Sequence, residues 1–368
     1  MKRRSSVILA AILLHLIFVV PNGSIGLTQG AQDQPDLTVE AATRAEVIEG
    51  VLKSLNDSYV FPDVAKQMEK SIRERLQRKE YDGISSAKEF AKTLTAHLQE
   101  VSHDKHLRVL YSYEALPDMK ESKPSPEEQE KQRRFGQFIN FGFEKVERLS
   151  GNIGYLDFRG FIPPEDGGDT AAAAMNFLAN TSALIIDLRQ NGGGHPAMVA
   201  FISSYLFDGE PVHLNDIYWR PDNSTHQWWT LPHVPGKRYG NKPVFVLTSH
   251  ETFSAAEEFA YNLKNLKRAT LVGETTGGGA HPGGAHRVSE HFMTGVPSGR
   301  AINPISGTNW EGTGVKPDME VPKELALKTA HRVALQKVLE TNPNAPFADE
   351  LKKALETVQK ELEEMKRN

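Results

Sequence analysis

The stretch VFVLTSHETFSAAEEFAYNL, residues 244–263, passes from a β-branched and aromatic run directly into a helical pattern, with Ser254 at the join. A serine there can do one of two things. As the first residue of a helix with Glu257 three positions on, it fits a capping box, and local rules favour that role. As a nucleophile, its hydroxyl needs a neighbouring base and donors for a developing oxyanion. The same join serves both, because a strand-to-helix turn exposes its side chain at the carboxyl edge of the sheet and offers the backbone N–H of Ala255. The Gly-x-Ser-x-Gly elbow is absent, so the pattern is not that of an α/β-hydrolase.

Three other stretches carry residue types that could complete such chemistry. ALIIDLRQNGGGHP, residues 183–196, ends a buried-strand run in Gly192, Gly193 and Gly194. Such a run is a flexible turn in the simplest reading, yet it also lets backbone N–H groups approach a ligand closely. Its spacing matches neither a dinucleotide nor a phosphate loop. EVSHDKHLRVLYS, residues 100–112, places His103 and His106 around Asp104 at the end of a helical pattern. Either histidine suits a helix C-terminus, and either could act as a base given an acceptor to set its tautomer. Finally, His281, His286 and His291 follow at regular intervals, and Glu311 lies in the glycine-rich INPISGTNWEGTGVKPDMEV. The three histidines fit no metal-ligand pattern, so no metal and no cofactor is expected.

These residues need elements to position them. Val39 to about Val101 reads as helix throughout, with a third helix opening at a capping box from Ser86 to Glu89. The segment after Tyr113 is charged and proline-bearing and reads as a linker. Beyond it, strand-like runs at 139–146, 152–158, 183–188, 243–248 and 269–272 alternate with helical patterns at 170–178, 197–206 and 255–266. That alternation predicts an α/β domain with a largely parallel sheet, closed by helices at 324–339 and 347–365.

At 368 residues and 39% hydrophobic content the chain can bury a full core, and a formal charge of −4 gives no footprint for nucleic acid. The absence of cysteine excludes disulfides, thiolate metal sites and a Cys nucleophile. Met1-Lys2-Arg3-Arg4, an uncharged run from Val7 to Val20 and the small-x-small triplet Ser24-Ile25-Gly26 form the layout of a cleavable secretory signal over residues 1–26. A secreted or periplasmic protein is therefore expected, with no membrane span once the signal is removed.

Taken in order, VSHDKHLRV, IIDLRQNGGG, TSHETFSAAEEF, GETTGGGAHP and INPISGTNWEGTGVKPD resemble the tail-specific, or C-terminal processing, serine peptidases. The likeness is to their branch related to the tricorn core peptidase and to interphotoreceptor retinoid-binding protein. The resemblance implies a crotonase/ClpP-like α/β core with a small N-terminal all-helical domain, and a peptide or protein substrate. It implies Ser254 as nucleophile, His106 as general base, Glu311 as the supporting carboxylate, and Gly193 and Ala255 as oxyanion-hole donors. The implied organisation is a helical domain over 37–112, a charged linker over 113–135, a peptidase core over 136–340 and a final helix over 341–368. Three departures stand out. Gly279 occupies the position of the lysine in the Ser-Lys branch, Lys105 stands where the tricorn-like branch has a serine, and no segment is long enough for the PDZ domain. A second reading of the scaffold is a non-catalytic binding protein for an apolar, retinoid-like or lipid ligand, with Trp219, Trp228, Trp229 and Trp310 in loops lining a groove.

Overall fold

A computed structural model describes residues 34–117, 126–341 and 346–367, so the signal-like segment 1–26 lies outside the described residues. The chain divides into two compact units. Among the described residues no helix is long and apolar enough to cross a membrane.

The first unit takes in the chain up to Phe135 together with residues 217–226 and 281–301. Its helices run Ala41–Ser58, Pro62–Gln77 and Ala87–Ser102. The third starts as the sequence requires, with Ser86 Oγ accepting from Glu89 N–H at 3.1 Å. It stops at His103, whose left-handed backbone (φ 55°) returns an N–H to Gln99. Apolar residues at helical spacing, Val47, Val51, Leu55, Phe90, Leu94 and Leu98, form one core. Under it lies a three-stranded antiparallel sheet in which Arg108–Tyr111 pairs with Phe292–Pro297, which pairs in turn with Gly283–Arg287. The unit is therefore not helical alone; its strands come from segments far apart in sequence. The charged stretch before the second unit carries a helix, Pro126–Phe138.

The second unit holds a six-stranded sheet in the order Met319–Glu320, Thr270–Gly273, Val244–Thr248, Ala183–Asp187, Ile153–Phe158 and Phe143–Leu149. It is parallel except for the last pair. The central strands Ala183–Asp187 and Val244–Thr248 are buried at every position, which is why they read as continuous apolar runs instead of alternating ones. Lys323–Thr341 lays Ala326, Ala330, Ala334 and Val338 into this core, and the amphipathic Ala348–Arg367 adds Leu351 and Val358.

Asp187, at the end of its strand, ties the sheet edge together. Its carboxylate accepts from Arg189 Nε at 2.9 Å, from Arg189 Nη2 at 2.6 Å and from Tyr155 OH at 2.8 Å, while Arg189 Nη1 reaches Lys323 O at 2.6 Å. Asp187 is buried, so Asp187→Ala strands a largely buried guanidinium. The expected loss is about 3 kcal/mol, read as a lower midpoint with unchanged slope in urea unfolding. A loss under about 0.5 kcal/mol would show that the pair is incidental.

Candidate active site

Ser254 occupies the N-cap of Ala255–Asn265 with φ 54° and ψ −121°, a backbone conformation that is costly for any residue with a Cβ. A strained strand-to-helix turn of this kind lifts a hydroxyl clear of the backbone. Its surroundings hold it there. Phe253 N–H donates to Asn191 O at 3.0 Å, Thr252 Oγ1 to Leu188 O at 2.7 Å, and Gly277 N–H to Thr252 O at 2.9 Å. The loops that follow two adjacent parallel strands are thus knitted together at the carboxyl edge of the sheet, where α/β folds place their sites.

Ser254 and Glu257 stand in the arrangement of a capping box, of which one half is a full hydrogen bond. Ser254 N–H donates to Glu257 Oε2 at 2.9 Å, whereas the Ser254 side chain makes no cap hydrogen bond. The hydroxyl faces the first turn of the helix without a hydrogen bond to hold it there.

Gly193 lies directly against this turn, and only glycine fits. A Cβ at Gly193 would stand 2.7 Å from Ser254 Cβ and 2.8 Å from Phe253 O, and its φ of +106° suits no other residue. Its N–H donates to Asn191 Oδ1 at 2.9 Å, and Asn191 in turn donates to Phe158 O at 2.8 Å. Of the two donors expected for an oxyanion, Ala255 is the first residue of its helix and so has no intrahelical acceptor for its N–H. The Gly193 N–H is engaged by Asn191 in this structure.

Glu257 has a larger part than its local pattern suggests. Besides Ser254 N–H, its fully buried carboxylate accepts from Thr276 Oγ1, from Gly278 N–H at 2.6 Å and from Gly279 N–H at 2.8 Å. Burial pushes its pKa up to about 7 against the pull of these donors. Ala280, which follows in the same turn, donates its N–H to the carboxylate of Glu311. Trp310 Nε1 closes the arrangement on Gly279 O at 2.7 Å, and Glu311 N–H rests on Asn309 Oδ1 at 3.0 Å. One glycine turn, residues 277–280, therefore links Glu257, and through it Ser254, to Glu311. Gly279 meets this network with its backbone, donating to Glu257 and accepting from Trp310.

Glu257→Ala would leave these donors without their acceptor. At about 1–3 kcal/mol for each buried unsatisfied group, a loss of several kcal/mol is expected, larger than for Glu257→Gln, whose single amide oxygen still accepts. Denaturant unfolding of the two variants checks this. Equal midpoints would mean that the carboxylate does not hold the turn.

His106 belongs to the first unit, in the loop between Ala87–Ser102 and Arg108–Tyr111. Its N–H donates to Asp104 Oδ1 at 3.0 Å, and both of its ring nitrogens are buried. Burial is the main influence on the ring and holds its pKa down to about 4, with the Asp104 carboxylate pulling the other way. The ring is neutral at pH 7, as a base must be. Asp104 is itself buried and accepts on Oδ2 from Tyr59 OH at 3.2 Å, with His281 Nδ1 at 2.9 Å from the same oxygen. His103 is exposed at the helix end and Lys105 is exposed beside His106, while Ser102 Oγ accepts the Asp104 N–H at 3.2 Å.

The remaining sequence candidates separate. His281 pairs with Asp104, His291 Nδ1 lies 3.1 Å from Ser112 O, and His286 stands in the strand Gly283–Arg287. The tryptophans do not stand together in loops: Trp219 ends one strand, Trp228 and Trp229 end another, and Trp310 is buried in the Gly279 contact. Trp229 stacks on His213 with centroids 4.3 Å apart. The expectation that all four of these residues lie in loops is corrected by that placement.

Two roles were missed by sequence reasoning. Glu257 looked like a helix cap, and Asp104 like a neighbour of the histidines. The capping box was a signal for the first; for the second there was none, because its partners Tyr59 and His281 are remote in the chain.

Comparison with known proteins adds to this geometry. Residues 152–321 match the model of peptidase family S41, and residues 37–147 match that of the N-terminal domain of Peptidase_S41 in eukaryotic IRBP. The chain is 32% identical over 102 residues to a tail-specific protease of Haemophilus influenzae, covering 26% of this chain and 13% of that protein. It is 29% identical over 229 residues to a protein of Streptomyces coelicolor named as a tricorn protease homolog, covering 59% of this chain and 18% of the relative. The chain thus spans less than a fifth of either relative. A solved structure from Parabacteroides merdae, described as a peptidase, shares the fold with a TM-score of 0.53 at 18% identity, over 76% of this chain and 90% of that one.

Proposed function

Because the chain belongs to peptidase family S41, we propose that it is a serine peptidase acting on peptides or proteins outside the cytoplasm. The observation that carries this reading is Ser254 itself. A serine held at φ 54° on a strand-to-helix turn adopts a strained backbone that a helix cap does not require, since cap residues ordinarily take the extended region. In the proposed reaction Ser254 Oγ attacks the scissile carbonyl carbon while its proton passes to His106. The tetrahedral oxyanion is stabilised by the Ala255 N–H and, once Asn191 releases it, by the Gly193 N–H. Collapse expels the amine, which takes the proton back from His106, and leaves an acyl ester on Ser254 that water hydrolyses by the same steps. Glu311 supplies negative charge that favours the transient imidazolium. Support for an extracytoplasmic location comes from the signal-like N-terminus alone.

The test is labelling of the purified protein by a serine-directed phosphonylating reagent, located by peptide mass mapping. Labelling of Ser254, with loss of hydrolysis of a mixed peptide pool, is expected. Hydrolysis that survives stoichiometric labelling would remove Ser254 from the mechanism.

A further inference from the structure

We propose that His281 is a positioning residue for the base His106, acting through the carboxylate of Asp104, an inference that rests on the peptidase reading above. All three residues belong to the first unit. His281 and Asp104 are 177 positions apart in the chain, so no spacing connects them.

The loop that carries His106 is built on Asp104. The helix before it has ended at His103, and the next bonds all involve the aspartate. Asp104 N–H donates to Ser102 Oγ at 3.2 Å, Leu107 N–H to Asp104 O at 3.3 Å, and His106 N–H to Asp104 Oδ1 at 3.0 Å. A side-chain oxygen that accepts from the N–H two residues on folds the chain into an Asx-turn. The backbone of His106 therefore follows the orientation of the Asp104 carboxylate.

That orientation is set from the other oxygen. Asp104 Oδ2 accepts from Tyr59 OH at 3.2 Å and lies 2.9 Å from His281 Nδ1. A carboxylate oxygen only accepts, so Nδ1 is the ring nitrogen that carries the proton. Both side chains are buried, and the Phe61 ring packs edge-on against His281 with centroids 5.2 Å apart. A buried carboxylate that loses a donor turns toward another or takes up a proton. Either response disturbs the turn below His106. His291, later in the same segment, shows the plainer use of a histidine, with Nδ1 3.1 Å from the backbone oxygen of Ser112. Beyond burial, the groups that act on the His106 ring are Asp104, which favours its protonation, and His281 and Arg108, which oppose it. Removing His281 thus changes the charge balance at the base as well as its support.

The test compares two variants of the full chain: His281→Phe, which keeps a ring without a donor, and His281→Asn, whose amide places a donor where Nδ1 stood. Steady-state hydrolysis is followed across the acid limb with one peptide from the mixed pool that the wild type cleaves. The His106 imidazole titration is followed by NMR, its signal assigned by its loss in His106→Ala. His281→Phe is expected to lower kcat about 100-fold with KM unchanged, the cost of a base displaced by an ångström or so. It should also move the acid limb and the His106 titration upward from about 4 toward the ordinary 6.5. His281→Asn should recover most of kcat and keep the acid limb near that of the wild type. A His281 that merely fills space gives the reverse: an active His281→Phe, with the His106 titration unmoved in both variants. That result overturns the proposal. Should His281→Phe not fold, a folded His281→Asn with less than about a tenth of the wild-type kcat overturns it equally. No hydrolysis by the wild type, with the His106 titration still moved by His281→Phe, would remove the peptidase reading and leave the link from His281 to His106 standing.

Discussion

Ser254→Ala is expected to lower kcat/KM by roughly 10⁵- to 10⁶-fold, about 7–8 kcal/mol of transition-state stabilisation, with KM little changed. The size follows from removing the atom that forms the acyl bond; what remains is the contribution of positioned donors and binding. The same variant separates the two readings of this serine. A capping serine replaced by alanine costs about 1 kcal/mol of stability. Ser254 makes no side-chain cap bond, while its N–H and the Glu257 carboxylate stay paired in the variant. Thermal unfolding should therefore be nearly unchanged while turnover is lost. A destabilised variant that retains a tenth of its activity would restore the cap as the only role.

The second large effect is expected at the other residue that handles the proton. His106→Ala should cost on the order of 10⁴-fold or more in kcat, because a serine hydroxyl has almost no nucleophilic anion at neutral pH without a base. His103→Ala, at an exposed helix end, should change turnover less than twofold. The pH profile adds a sign. Protonated imidazole cannot accept the serine proton, so kcat/KM falls as pH drops through the pKa of the free enzyme's base. With burial holding His106 down to about 4, the acid limb should appear near pH 4, well below the 6.5 of an ordinary histidine. An acid limb at 6.5 that vanishes in His103→Ala would transfer the role to His103.

How much of this was legible beforehand depended on the range of the interaction. The Ser86 cap, the helix faces with Val47, Val51 and Leu94, and the continuously apolar strands 183–187 and 244–248 are governed by neighbours within a turn or two. Periodicity and cap chemistry report those directly. The strands Gly283–Arg287 and Phe292–Pro297 were not foreseen, since glycines and histidines fill the first and its pairing is decided by partners elsewhere in the chain. The tryptophans were misplaced in loops for a similar reason: Trp228 and Trp229 end a strand that is mostly polar and exposed.

By itself the sequence determined that a serine with Glu257 three residues on stands between a buried strand and a helix, that three glycines follow another strand, and that a histidine follows the third helix. These facts depend on residue type and short spacing. The tertiary structure alone decided that Glu257 faces the turn at 278–279, that Asn191 takes the Gly193 N–H, and that Asp104 is shared between Tyr59 and His281. Each of those outcomes is a buried polar group finding its partner. Most of the partners are distant in the chain, and which of them is chosen is decided by packing and desolvation, which no short spacing encodes.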